Sequence, residues 1–345
     1  MNSIQPTTDA MKTETKPQRE GGHISSSSRS RRLATTILAL TILGPMFAFA
    51  QIPPRFYWKS LAGANAVPVI YQSLSGNANP MDPALVVSDD ASVDANVALV
   101  GYAKLLPLFD RTLTLAVLEP VGRISGDFAG QSQSATGFGD PMLEVGYNLI
   151  GPKAIKDIPD MLRYEPKFSL DMIVDVVFPI GEYDSDQALN LGLNRWYGRV
   201  GVPIVWQIGP WVPGRRTTFE VFPSVWFFSD NNDYVGQTLS TDPKFQLEAH
   251  LTRDFTEHFW GSLDTTYMAG GKSSVNGVAG DSLNTLGVGL TLGYQITDNL
   301  SLTAGYMATV NDSDPTDLQM DGFRLSLTYG WHKLVQGMNR LKSEE

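Results

Sequence analysis

The stretch KFQLEAHLT, residues 244–252, sets Phe245, Leu247, Ala249 and Leu251 against Lys244, Gln246, Glu248, His250 and Thr252 in strict alternation. Successive side chains of an extended chain point to opposite faces, so this is a strand with one apolar and one charged face. Periodicity does not say which face meets water, because a soluble sandwich and a membrane barrel give the same string. The surrounding chain supplies the answer. FSLDMIVDVVF from Phe168, LNTLGVGLTLGY from Leu283, LSLTAGY from Leu300 and FRLSLTYGW from Phe323 repeat the pattern. About twelve such segments are found, each near the ten residues that a tilted barrel strand needs.

The connections fall into two classes. Odd connections are long, polar and acidic, for example SLSGNANPMDPALVVSDD, GRISGDFAGQSQSATGFGD and NDSDPTDLQMD; even ones are mostly short, such as PLFD, DFTEH and TDN. A sandwich has no reason to put its long loops at one end, whereas an outer-membrane barrel has long extracellular loops and short periplasmic turns. Trp196 and Trp206 share the face of Val200, Val202 and Ile204. Ten residues tilted at about 40° cover roughly 25 Å, the height of the apolar band between two aromatic girdles. The predicted fold is therefore all-β, a transmembrane antiparallel β-barrel of about 12 strands. Trp196, Trp206, Tyr329 and Trp331 are its girdle candidates, and the apolar face of KFQLEAHLT points to lipid.

Residues 29–50, SRRLATTILALTILGPMFAFA after Arg29, carry three arginines, an apolar stretch and Ala48-Phe49-Ala50. These are the parts of a secretory signal peptide with cleavage after Ala50, and Met11 is as good a start as Met1. Residues 1–50 are thus expected to be removed. Residues 51–65 would be a periplasmic segment, 66–333 the barrel and 334–345 a C-terminal tail. The exported chain keeps 20 basic and 33 acidic residues, a net charge of −13, which makes it a poor partner for nucleic acid. Cysteine is absent, which excludes a disulfide framework, a thiol nucleophile and a lipidated cysteine.

The stretches TGFGDPMLEVGYNLIG from Thr136, FPIGEYDSDQALNLGLNRW from Phe178 and LTLGYQITDNLSLTAGYMATVND from Leu290 resemble an outer-membrane β-barrel family associated with meta-pathway phenol degradation, often labelled "transporter". The resemblance covers most of the exported chain. It implies a barrel in the outer membrane of a Gram-negative bacterium, placed there by the outer-membrane assembly machinery. Such a barrel would pass apolar or aromatic small molecules.

Strand parity turns Asp171, Asp175, Arg199, Lys244, Glu248, His250, Asp264 and Arg324 inward, so these are the candidates for a lumenal solute path. The blander role of each is an ion-paired barrel interior. Gly287 and Gly289 leave room beside them, and GVGLTLG lacks the following helix of a dinucleotide site. No catalytic set, metal or cofactor is expected: His258 and Ser262 share a face but stand too far apart, and the acidic DSDPTD loop lacks calcium-site spacing. An acidic lumen should disfavour anions. Gln246→Arg should be cheap on the lumenal side. Asp171→Asn with Asp175→Asn should shift charge preference without unfolding. Two functions compete, a passive channel for small molecules and a surface-binding barrel acting through its loops. QIPPRFYWKS, residues 51–60, is left open as a possible plug.

Overall fold

The computed structural model describes residues 52–88, 90–128, 130–310 and 318–337. The expected leader with its cleavage site, and Asp312, Asp314 and Asp317 of the acidic loop, lie outside them. The strands are β1 (Asn65–Gly76), β2 (Ser92–Leu108), β3 (Arg111–Phe128), β4 (Gln131–Phe138), β5 (Met142–Ile150), β6 (Phe168–Val177), β7 (Tyr197–Gly201), β8 (Ile204–Gln207) and β9 (Thr217–Phe228), followed by β10 (Asn231–Tyr234), β11 (Gln237–Thr241), β12 (Lys244–Asp254), β13 (Phe259–Gly270), β14 (Ser273–Val275), β15 (Val278–Ala279), β16 (Leu283–Gln295), β17 (Leu300–Thr309) and β18 (Met320–Trp331). A short helix, α1 (Ile158–Arg163), sits in the connection after β5, and residues 333–337 after β18 are helical as well.

Every neighbouring pair is antiparallel, and the sheet closes. β1 pairs with β18 from Asn65↔Trp331 to Gly76↔Met320, and β12 pairs with both β9 and β13. β4 and β5 form one stave on β3, interrupted at residues 139–141, and β7 and β8 form another between β6 and β9, interrupted at residues 202–203. Each break holds a proline, Pro141 or Pro203, which has no N–H to give to a ladder. The result is a closed barrel of twelve staves, the number that the spacing of alternating segments predicts. Closure removes the unpaired edges that lipid cannot solvate.

Burial decides the opening question. Along β12, Lys244, Gln246, Glu248, His250, Thr252 and Asp254 are buried while Phe245 and Leu251 are exposed. Exposure reaches 61% at Leu263 and 60% at Trp206, against 1% at Lys244 and 0% at Glu248. An apolar outside around a charged inside is the pattern of a barrel in lipid. Leu251, Leu263 and Leu290 stand side by side in register on three successive strands, within this band. Leu263→Arg is expected to cost roughly 2–4 kcal/mol in a lipid-refolding measurement, the penalty for a cation near the bilayer midplane.

The inside is partly apolar: Ile70, Leu99, Leu118, Met142 and Val177 point inward and pack with Tyr197 and Trp226. The run NVALVGYAKLL in β2 shows the cause, since it is apolar at both parities and serves lipid on one face and lumen packing on the other. One expectation needs correction: Gln246→Arg will not be cheap. Gln246 is 1% exposed, accepts from Trp226 Nε1 at 2.8 Å and donates to Glu248 Oε1 at 3.1 Å, so a longer cation has no room there.

The long connections also carry structure. GRISGDFAGQSQSATGF is mostly a β3–β4 hairpin, and β10, β11, β14 and β15 make a separate four-stranded sheet at the long-loop end. Among the described residues, β4 has no strand on its far side, where residues 181–193 cover it instead: Glu182 N–H donates to Phe138 O at 2.9 Å, and Gly181 and Leu193 N–H donate to Asp140. At Gly181 a Cβ would lie 2.5 Å from Gly139 O, so the loop can approach the wall this closely only through glycine.

Candidate functional site: an occupied lumen

The N-terminal segment runs up into the barrel. Ile52, Phe56, Tyr57 and Trp58 are buried and pack against Ile173, Val205 and Phe222 of the wall. Polar bonds fix its backbone and its cations. Ile52 N–H donates to Glu248 Oε2 at 2.5 Å and Arg55 N–H to Glu220 Oε2 at 2.9 Å. Trp58 Nε1 donates to Glu220 Oε1 at 2.8 Å. The Arg55 guanidinium meets Asp254 Oδ1 at 2.6 Å and lies between the rings of Trp58 and Trp260, 4.3 Å from each centroid. Lys59 pairs with Asp171. Leu61 then packs with Tyr164, Met161 of α1 and Val335 from the tail, closing the short-turn end.

Above this segment lies a charged layer. Arg199 Nε donates to Asp175 at 2.8 Å and its Nη1 to Glu248 at 3.2 Å, with Phe222 and Trp226 rings within 5 Å of its guanidinium carbon. All three ionic side chains are fully buried. Asp264 accepts from Ser262 and Thr291 and bonds His250 Nδ1 at 2.8 Å. Ser262 and His250 thus share a carboxylate rather than bonding each other, which is not the arrangement of a nucleophile and its base. Arg324 Nη2 donates to Thr291 at 3.3 Å.

A second segment, residues 77–88 between β1 and β2, folds down from the long-loop end. Arg195 grips both oxygens of Asp82 at 2.8 Å, Lys244 Nζ donates to Pro83 O, and Asn79 Nδ2 donates to Asn190 O at 3.0 Å. Small voids lie against the wall. One of about 20 Å³ lies beside Tyr57, Glu144 and Asp171, and one of about 30 Å³ beside Asp264, Thr291 and Arg324. Each has room for little more than a water.

All eight predicted lumen residues face inward, and Asp175, Arg199 and Glu248 form one cluster. Asp171 stands apart with Lys59 and Asn148. Trp196, Trp206 and Tyr329 are exposed on the outside, and Trp331 is half-buried against Tyr329. Sequence reasoning missed Glu144, Glu220, Asp254, Arg195 and Arg216, all buried within the barrel. The same parity rule finds Glu144 in MLEVGY and Glu220 in TTFEVF. The expectation that Asp175→Asn leaves the fold untouched also changes, since its carboxylate sits opposite a fully buried guanidinium. Outside the membrane band, Asp110 at a short turn is held below the usual carboxylate range by Lys156 and Lys153. A depressed folded-state pKa means that this contact stabilises above the usual carboxylate range and is lost as pH falls through the lowered value.

Among solved structures, an outer membrane channel from Pseudomonas putida F1 superimposes with a TM-score of 0.68 at 21% identity, covering 81% of this chain and 100% of that one. The toluene transporter TodX of Pseudomonas putida gives a TM-score of 0.41 at 7% identity, over 87% of this chain and 96% of that one. The first of these shows a shared barrel fold. No curated protein matches the sequence. The family model described by the words "MetA-pathway of phenol degradation" matches residues 75–327, from the end of β1 into β18. The chain belongs to that family.

Proposed function

We propose that the protein is an outer-membrane channel for passive uptake of small apolar or aromatic molecules. The observation that carries this reading is what fills the lumen. Two stretches of backbone, residues 52–61 and 77–88, occupy it, so the wall encloses a bore wide enough for a polypeptide. Barrel diameter grows with strand number, so twelve staves enclose a wider bore than the eight-stranded barrels that wall side chains fill. The family membership and the channel fold of the Pseudomonas barrel support the same reading. The lumen carboxylates are matched by Arg55 and Lys59 of the N-terminal segment together with Arg195, Arg199, Arg216 and Lys244. Withdrawal of the segment would take two cations with it and leave a wall with excess carboxylates. The open form would therefore disfavour anions.

Loss of the protein is expected to slow growth on limiting neutral aromatic carbon sources and to leave growth on small organic acids unchanged. Equal growth on both would favour the alternative, a surface-binding barrel that works through its long loops. Orientation has its own test. A cysteine at Asn276, on the exposed β14–β15 turn, is expected to react with an impermeant maleimide on whole cells, and one at Asn299, on the β16–β17 turn, is not. The reverse pattern would invert the barrel.

A further inference from the structure

Directly above the inserted loop, the long-loop end holds a half-open cavity of about 520 Å³. One wall is the loop itself, with Val86 and Val87; the other is the β14–β15 hairpin, with Val275 and Val278, and Leu283 of β16 stands at the base. Its volume falls within the roughly 300–1,000 Å³ of sites that enclose small ligands. Among the described residues, Asp281 is the one ionisable residue in its lining. Val278, between Asn276-Gly277 and Ala279-Gly280, is 77% exposed, an apolar side chain held toward open space.

The loop wall is built rather than slack. Ser88 N–H donates to Asn77 O at 3.1 Å, Ala84 N–H to Asp82 Oδ1 at 2.9 Å, and Ala78 bridges Val87. Leu85 adopts φ 51° and is 2% exposed. A left-handed leucine is unfavourable unless its surroundings hold it, and here the turn it makes sends Leu85 into the barrel and lays Val86 and Val87 against the cavity. The same loop is anchored below through Asp82 and Pro83. An occupant of the cavity therefore rests on the segment that closes the lumen.

We propose that this vestibule between residues 84–88 and the β14–β15 hairpin is a binding site for small neutral apolar solutes of about one or two rings. It rests on the channel reading, for which it supplies the first station of the path. The apolar side chains of Val86, Val87, Val275 and Val278 among its lining favour neutral molecules, and the Asp281 carboxylate at its rim repels aromatic carboxylates.

Naphthalene binding to the detergent-solubilised full chain, followed by equilibrium dialysis, tests the site. Saturable binding is expected in the wild type. Val278→Asp, on an exposed turn where folding is not at stake, should weaken it by about tenfold or more, because a carboxylate then stands in the apolar wall. Val278→Leu should retain it, and benzoate should bind more weakly than naphthalene. Naphthalene binding that is non-saturable in the wild type, or unchanged by Val278→Asp, would overturn the site whatever the barrel conducts. Saturable, Val278-dependent binding without any naphthalene transfer across proteoliposomes would uphold the site and refute the channel.

Discussion

Removing residues 52–60 and replacing residues 79–87 by a short Gly-Ser link in the same chain is expected to raise ion conductance roughly tenfold or more over either change alone, because the emptied twelve-stave bore exceeds what wall side chains can fill. Either single change should do little. The two segments close different heights of one lumen, so they act as resistances in series, and the remaining one limits the current. The N-terminal segment blocks the short-turn half through Ile52, Arg55, Tyr57 and Trp58, and the loop blocks the long-loop half through Asp82 and Pro83. Planar-bilayer recordings of the four proteins give the comparison. Additive conductances would mean two parallel routes instead of one lumen.

Asp254→Ala is expected to cost about 3–5 kcal/mol, because removing one partner of a buried ion pair leaves its charge uncompensated. Here it strands two charges. Asp254 Oδ1 meets Arg55 at 2.6 Å and Oδ2 meets Arg216 at 2.7 Å, and all three side chains are within 2% of full burial. The electrostatic loss falls on the contact between plug and wall, since β12 keeps its ladder to β9 and β13. Two readouts are therefore expected to move together: a lower denaturant midpoint in detergent, and faster proteolysis within residues 52–60. Pairing Asp254→Ala with Arg55→Met should recover part of the loss, since one of the stranded guanidinia is then gone. No recovery would place the weight of the interaction on Arg216.

KFQLEAHLT made both barrel faces legible because its two parities differ so sharply in polarity. The inward placement of Asp175, Arg199, Glu248 and His250 follows from that parity, as do the outward tryptophans. The contents of the lumen were harder to read. QIPPRFYWKS has no period, and its two prolines, two cations and three aromatics describe a loop as well as a plug. Its meaning comes from Glu220, Glu248 and Asp254, which lie more than 160 residues away in the chain. The inserted loop hides for the same reason: PMDPALVV carries apolar residues without alternation, and only the closed barrel brings Lys244 and Arg195 to it. β2 misleads by being apolar on both faces, a pattern that periodicity cannot split between lipid and lumen.

The chain has no cysteine, so a single introduced pair can be bridged without competition. Lys59→Cys on the segment and Asp171→Cys on β6 replace side chains that touch in the lumen. Joined by a short cleavable thiol-specific linker and reconstituted in liposomes, this protein is expected to admit no naphthalene, and cleaving the linker should restore uptake to the level of the unlinked pair. Equal uptake with the linker intact and cleaved would contradict a solute path through the lumen that requires withdrawal of the N-terminal segment.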